Sequence, residues 1–92
     1  MSAIFKFQLA LEAQQRIEMP EGARILCVQV QRGIICLWAA VNPEAKKRMV
    51  TVRIYGTGHP IDADCGTYIG TVQQDGEFVW HVFAGPTRMT PV

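Results

Sequence analysis

Short apolar runs separated by turn-forming residues constrain this sequence more than any other feature. Most of the runs alternate apolar with polar residues, and glycine, proline or Asp-Gly signals recur every 8–12 residues or so. The runs are residues 4–11, 16–18, 24–31, 34–42, 49–55, 67–73 and 77–83. No run has the 3.6-residue period of an amphipathic helix. The pattern predicts an all-β fold, a small antiparallel roll, barrel or sandwich of six to seven short strands.

One hairpin is predicted in the middle of the chain. Arg32-Gly33 separates runs 24–31 and 34–42 and is typical of a two-residue turn. With that turn, Cys27 lies opposite Trp38. Run 34–42 is apolar on both faces, which predicts a central strand that is covered on both sides.

A second hairpin is predicted around Asp75-Gly76. A two-residue turn there places Thr71 opposite Trp80 and Gly70 opposite His81. A glycine opposite an imidazole would leave space for the ring or for a group lying on it.

The 92 residues predict a single β domain, residues 1–92. Its last segment, 84–92, contains Gly85, Pro86 and Pro91 and is interpreted as a flexible or partner-docked tail. Hydrophobic residues make up 49% of the chain and charged residues 18%, against roughly 25% charged in an average soluble domain. So apolar a composition predicts a homo-oligomer, with a compact monomer as the alternative.

Charge and segment composition argue against several partners. The net charge of +1 is too small for a general nucleic-acid binder. No run of about 18 apolar residues predicts a membrane span, and the first residues lack the pattern of a signal peptide. Cys27, Cys36 and Cys65 are odd in number and widely spaced, so neither a disulfide framework nor a zinc site is expected. These features predict a cytoplasmic protein.

The segment Arg53–Ile61 is the candidate ligand-binding site. It places an arginine, an aromatic ring, a hydroxyl and an imidazole on and after a glycine-rich turn, and His81 follows on a later strand. Such groups can hold a phosphate or carboxylate and stack a base. The candidate residues are Arg53, Tyr55, Gly56, Thr57, Gly58, His59 and His81. The alternative is a purely structural turn, with Arg53 paired to an acid on a neighbouring strand.

A complete catalytic or metal-binding set is not visible in the sequence. The segment lacks the Lys-Ser/Thr end of a P-loop. His59 and His81 with Asp62 or Asp64 match no known metal spacing, and the only serine is terminal. No catalytic residue, metal or cofactor is therefore predicted.

Several motifs together resemble a family of small, functionally uncharacterised proteins encoded by phages and prophages. The resemblance covers residues 4–83, and its most specific part is the Tyr-Gly-Thr-Gly-His-Pro-Ile motif at 55–61. The other matching motifs are Ile4–Phe7, Met19–Ala23, Val28–Gln31, Cys36–Ala39, Tyr68–Gln73 and His81–Phe83. The resemblance implies a small phage accessory protein acting in the cytoplasm of a bacterial host.

These observations lead to one main hypothesis and two alternatives. The main hypothesis is a non-enzymatic phage protein that inhibits host defence, either by sequestering a small nucleotide-type signal or by blocking a host defence protein. The first alternative is a structural or assembly protein, such as a minor virion or scaffold component. The second is a small nucleotide hydrolase that uses His59 or His81 with Asp62 or Asp64.

Overall fold

Seven antiparallel strands in two sheets form the protein, as described for residues 1–87 by a computed structural model. The strands are β1 (Ala3–Gln8), β2 (Gln14–Pro20), β3 (Arg24–Gln31), β4 (Ile34–Val41), β5 (Lys47–Gly56), β6 (Thr67–Gln74) and β7 (Phe78–Ala84). The all-β prediction is confirmed, and the two sheets pack as a small sandwich. Of the predicted tail, Ala84 belongs to β7, and residues 88–92 lie outside the described part of the chain.

The first sheet has the order β1-β4-β3, which confirms β4 as a central strand. Its hairpin with β3 turns at Arg32-Gly33, where both residues have positive φ angles. Cys27 pairs with Trp38, as predicted. β4 is the most deeply buried strand, because it is flanked by neighbours on both edges and by the second sheet on one face.

The second sheet has the order β2-β5-β7-β6. The two-residue turn predicted at Asp75-Gly76 is wrong. Gln74 pairs with Phe78, so the turn takes three residues, two of them with positive φ angles. The pairing therefore moves by one position from the predicted register: His81 lies opposite Thr71, and Gly70 lies opposite Val82. Directly paired residues lie on the same face of a sheet, so the shift places Thr71 on the face of His81 and not on that of Trp80.

The core lies between the two sheets and is made of aliphatic side chains. Its buried members are Leu9, Met19, Val28, Ile35, Leu37, Val52, Ile54, Val72, Val82 and Ala84. Full burial stabilises the fold by roughly 1.5–3 kcal/mol for each large side chain. No buried side-chain nitrogen or oxygen within residues 1–87 lacks a hydrogen-bond partner.

Gly70 allows the two sheets to approach closely. A Cβ atom built on Gly70 would lie 2.8 Å from Cγ1 of Val28 on β3. The space left by Gly70 is thus occupied by Val28 from the other sheet, and the predicted space beside His81 does not exist at this position.

Within residues 1–87 the chain forms no helix of the length and apolar character needed to cross a membrane.

Candidate functional site

The outer face of the second sheet carries a cluster of aromatic side chains. Val52, Ile54 and Val82 point into the core, so the alternate residues of β5 and β7 point outward. Phe83 lies between two tyrosines on this face. Its ring centroid is 5.5 Å from that of Tyr55 and 5.4 Å from that of Tyr68, both in edge-to-face geometry, which aromatic pairs prefer. We call Tyr55, Tyr68 and Phe83 the aromatic face.

The segment between β5 and β6 folds back beside the aromatic face. It begins with a turn in which the His59 amide donates to the Gly56 carbonyl at 3.1 Å. Further along, the Tyr55 hydroxyl donates to Oδ2 of Asp62 at 3.2 Å. That contact ties the loop to the sheet next to the aromatic rings. The loop and the sheet together line a shallow, open pocket of about 210 Å³.

This loop pocket has an aromatic wall and a rim of polar backbone. It is lined by Tyr55, Gly56, Thr57, Gly58, His59, Ile61, Tyr68, His81 and Phe83. Gly56 lies directly beneath the His59 ring, because a Cβ atom there would lie 3.0 Å from ring atoms of His59. Gly58 has a φ angle of +88°, which glycine adopts without strain.

His81 is held in a chain of hydroxyl groups at the side of the pocket. Its Nε2 lies 2.8 Å from Oγ1 of Thr57, and its Nδ1 lies 2.9 Å from Oγ1 of Thr71. The Tyr68 hydroxyl extends the chain, 2.6 Å from Oγ1 of Thr71. A neutral imidazole donates from one nitrogen and accepts at the other, and a threonine hydroxyl can serve either. Both ring nitrogens are therefore satisfied, and the orientation of the ring is determined by two strands and the loop.

Tyr55 stays protonated at neutral pH. Burial raises the pKa of its phenol above the usual 10.0, and the hydrogen bond to the negatively charged Asp62 raises this pKa further. Arg53 acts in the opposite direction. The phenol is thus a stable donor to Asp62 at neutral pH.

Most of the residues predicted for the site come together around the loop pocket, and Arg53 is the exception. Tyr55, Gly56, Thr57, Gly58, His59 and His81 all line it. Arg53 lies on the same outer face, opposite Phe83, and lines a second concavity. Its cross-strand neighbours are Gln14 and Phe83. It therefore has no acid opposite it, and within residues 1–87 it forms no ion pair.

Ile61, Tyr68 and Phe83 line the pocket but were not predicted. Phe83 is two residues from His81 on one strand, so alternation alone would have placed both side chains on the same face. Tyr68 joins them through its pairing with Phe83. A bulge between Tyr68 and Gly70 offsets the extra turn residue, so this pairing is the one that a two-residue turn at 75–76 also predicts, and it could have been counted from the sequence.

Carboxylates and histidines do not form pairs in the described part of the chain. Asp62 accepts from Tyr55, and Asp64 lines the second concavity. No cluster of three or more metal-ligating side chains is present within residues 1–87. The Cys65 thiol is half-buried and contacts the carbonyl of Gly66 at 3.4 Å.

The second concavity is larger, about 890 Å³, and lies where β5 extends beyond β7. We call it the edge cleft. Its walls come from the β2–β3 turn, the first half of β5, the start of β6 and the chain after β7. They include Ile25, Val50 and Ile69 together with three arginines, Arg24, Arg48 and Arg53.

Comparison with known proteins shows the family of the chain. Residues 1–90 match a family described as a domain of unknown function, DUF7352. No curated protein and no solved structure matches the chain. Because the match spans nearly all of the sequence, the chain belongs to the DUF7352 family.

Proposed function

We propose that this protein is a non-catalytic binding protein that holds the ring of a nucleotide-type ligand in the loop pocket. The observation that carries the proposal is the hydroxyl-bound His81 beside the aromatic face. Tyr55, Tyr68 and Phe83 supply apolar ring surface, and the threonine hydroxyls with the Gly56–His59 backbone supply polar groups at the rim. Ligand sites typically combine an apolar lining with a few such polar groups.

The size of the pocket favours a single planar ring. Sites for drug-sized ligands measure about 300–1,000 Å³, and the loop pocket is smaller, at about 210 Å³. A base would therefore enter the pocket while the remainder of the ligand stays outside it.

Arg53 is positioned to contact a charged group outside the pocket. It lies two residues before Tyr55 on β5, roughly 7 Å along the strand, and on the same outer face. Its guanidinium has no ion pair within residues 1–87. Arginine binds phosphate with two parallel hydrogen bonds, so a ligand with a ring and a phosphate can span both places.

The hydrogen bonds of His81 support binding rather than catalysis. A general base is usually oriented by a carboxylate that also stabilises the imidazolium. Here both neighbours of the ring are neutral hydroxyls. The imidazole is thus arranged as a fixed wall of the pocket with one donor and one acceptor.

The biological setting of the proposal comes from the sequence resemblance to phage-encoded proteins. In that setting the protein sequesters a nucleotide signal in the bacterial host and weakens a defence response. Blocking of a host defence protein is the variant of this proposal that needs no small ligand.

Isothermal titration calorimetry with adenosine, AMP, ADP-ribose and a cyclic dinucleotide tests the proposal. We expect at least one phosphorylated probe to bind more tightly than adenosine, and Arg53→Gln to remove that difference. Phe83→Leu should weaken all probes. Arg16→Gln is the matched control, because Arg16 is an exposed arginine of β2, directly opposite Thr51. Absence of heat with every probe, or equal effects of the two arginine variants, would contradict the proposal.

A second candidate function, hydrolysis, rests on the 2.8 Å distance between Oγ1 of Thr57 and Nε2 of His81. This distance is suitable for a nucleophile and its base. Phosphate or ester release by the protein that disappears in both Thr57→Val and His81→Gln would favour it. Turnover that survives either substitution would exclude this pair of residues.

A further inference from the structure

We propose that the free edge of β5 in the edge cleft binds an extended, acidic segment of a partner protein as an added β-strand. The site differs from the loop pocket, and the proposal goes beyond the function proposed above, with Arg53 as the one residue that both use. It rests on unpaired backbone groups, on the chemistry of the cleft walls and on a local excess of positive charge.

The first half of β5 has a neighbour on one side only. β2 pairs with Lys47–Arg53, whereas β7 pairs only with Val52–Gly56. The Ile54 amide donates to Ala13 on the β2 side, and the Thr51 carbonyl accepts from Gly85 on the β7 side. Backbone groups of odd-numbered residues in this strand therefore point toward β7. The N–H and C=O groups of Lys47 and Met49 consequently point into the cleft and have no strand partner within residues 1–87.

Beyond Gly85, whose amide donates to Thr51, the chain up to Thr87 adds no strand to this edge of β5. Gly85 has a φ angle of +68°, and its carbonyl oxygen is directed toward Gly66 rather than toward β5. Pro86 follows and has no N–H to donate to a strand. Two hydrogen bonds then hold the chain beside the start of β6: Thr67 Oγ1 donates to the Pro86 carbonyl at 2.9 Å, and the Gly66 amide donates to Oγ1 of Thr87 at 2.8 Å.

The side chains around the edge indicate the composition of the added strand. Val50, Ile25 and Ile69 are half-buried at the inner wall of the cleft. A strand beside β5 would place every second side chain over these residues, so apolar residues fit there. The intervening positions would lie on the outer face beside Arg53, so carboxylates fit there, and a carboxylate at the end of the added strand would reach Arg24 and Arg48 at the rim of the cleft.

Positive charge is concentrated at this edge although the whole chain has a net charge of only +1. Within residues 1–87, Arg24 forms no ion pair, and Arg48 and Lys46 share a single acid, Glu21, at 3.5 and 3.7 Å. The charged residues that line the cleft are Arg24, Arg48, Arg53, Glu21 and Asp64. Lys46 and Lys47 adjoin it at the start of β5, and Glu18 lies opposite Met49 on β2, so basic residues are still in excess.

The same charges disfavour a second copy of the chain as the occupant. Pairing two β5 edges would bring the Lys46-Lys47-Arg48 runs of both copies close together. Lysine on a free edge is a known means by which proteins prevent edge-to-edge association. The basic residues that repel a second copy attract an acidic partner strand. An acidic strand is therefore favoured over a copy of the chain as the occupant of this edge.

Fluorescence anisotropy with a labelled peptide of alternating glutamate and valine tests the proposal on the full chain. A lysine–valine peptide of equal length is the control for charge. We expect the acidic peptide alone to bind, with an affinity that falls as salt rises. Arg24→Gln should weaken binding about tenfold. Met49→Pro should weaken it about as much, because it removes one N–H from the free edge, whereas Met49→Ala keeps that group and should bind normally.

A second measurement keeps the proposal testable if Met49→Pro does not fold. An acidic peptide whose alternate backbone nitrogens are methylated cannot pair with β5, and it should not bind the unaltered protein. Equal binding of methylated and unmethylated peptides would overturn the proposal. Equal binding of the acidic and basic peptides would also overturn the proposal. The same holds if the chain self-associates and Met49→Pro abolishes this self-association. It holds too if the acidic peptide binds only after residues 88–92 are removed.

Discussion

Adding a methyl group at Gly70 should destabilise the protein, and shortening Val28 should remove that effect. In the structure a Cβ atom at position 70 would lie 2.8 Å from Cγ1 of Val28. Carbon atoms pack best at about 3.5–4.0 Å, so one sheet would have to move by roughly 1 Å. Overpacking of this kind costs about 1–3 kcal/mol. Replacing glycine by alanine within a strand returns about 0.5–1 kcal/mol. The net expectation for Gly70→Ala is a loss of about 0–2.5 kcal/mol, with a midpoint of about 1 kcal/mol.

A double-mutant cycle isolates this contact. Val28→Ala removes the equivalent of two methylenes and should cost about 1.6 kcal/mol, at about 0.8 kcal/mol each. In that background the new methyl at position 70 fills vacated space, so Gly70→Ala should be neutral or stabilising. We therefore expect a favourable coupling of at least about 1 kcal/mol between the two substitutions.

Urea denaturation followed by tryptophan fluorescence measures the four free energies of unfolding. A loss of 1 kcal/mol should also lower Tm by about 4–8 °C in a domain of this size. If Gly70→Ala costs the same with valine or alanine at position 28, to within about 0.5 kcal/mol, the close approach of β3 and β6 is refuted.

Two further substitutions test polar contacts. The Gln74 side chain accepts from the Trp80 indole at 3.0 Å and donates to the Gly33 carbonyl at 2.9 Å. Gln74→Ala should therefore cost about 1–2 kcal/mol in urea denaturation, because it leaves the Trp80 indole and the Gly33 carbonyl without this partner. The raised pKa of Tyr55 means that the folded state retains this proton more strongly than the unfolded state. Its contribution to stability should be complete below pH 10.0 and decrease as pH rises toward the folded-state pKa. Tyr55→Phe should lose this alkaline dependence, and a tyrosinate absorbance titration checks both statements.

Local patterns predicted the strands because alternation and turn residues act over short distances. Arg32-Gly33 was sufficient to predict the pairing of Cys27 with Trp38. The pairings β1–β4 and β2–β5 join strands that are far apart in the chain. Alternation shows which face of a strand is buried but not which strand lies beside it. The sequence therefore predicted the fold class, while the order of strands in the sheets had to come from the structure.

The site was predicted only in part, because here too the sequence does not show which strands are neighbours. The 55–59 segment is contiguous, so its residues lie together in almost any fold. Tyr68 and Phe83 lie beside this segment because β7 pairs with both β5 and β6, and alternation does not reveal the long-range pairing of β5 with β7. Arg53 was assigned to the same site because it shares an outward-facing row with Tyr55. In the structure Arg53 lines the edge cleft, which alternation along β5 does not reveal.

The long-range pairing of the first two strands has a consequence for how the chain folds. Ala3 pairs with Val41, and Gln14 pairs with Arg53, so each N-terminal strand must wait for a partner that follows much later in synthesis. The β3–β4 and β6–β7 hairpins need only short loop closures and are expected to form first. Proteins dominated by such distant pairings fold on a timescale of roughly milliseconds to seconds. On the ribosome, Phe5 and Phe7 would remain exposed throughout this interval, and any slowing of β4 emergence would lengthen it.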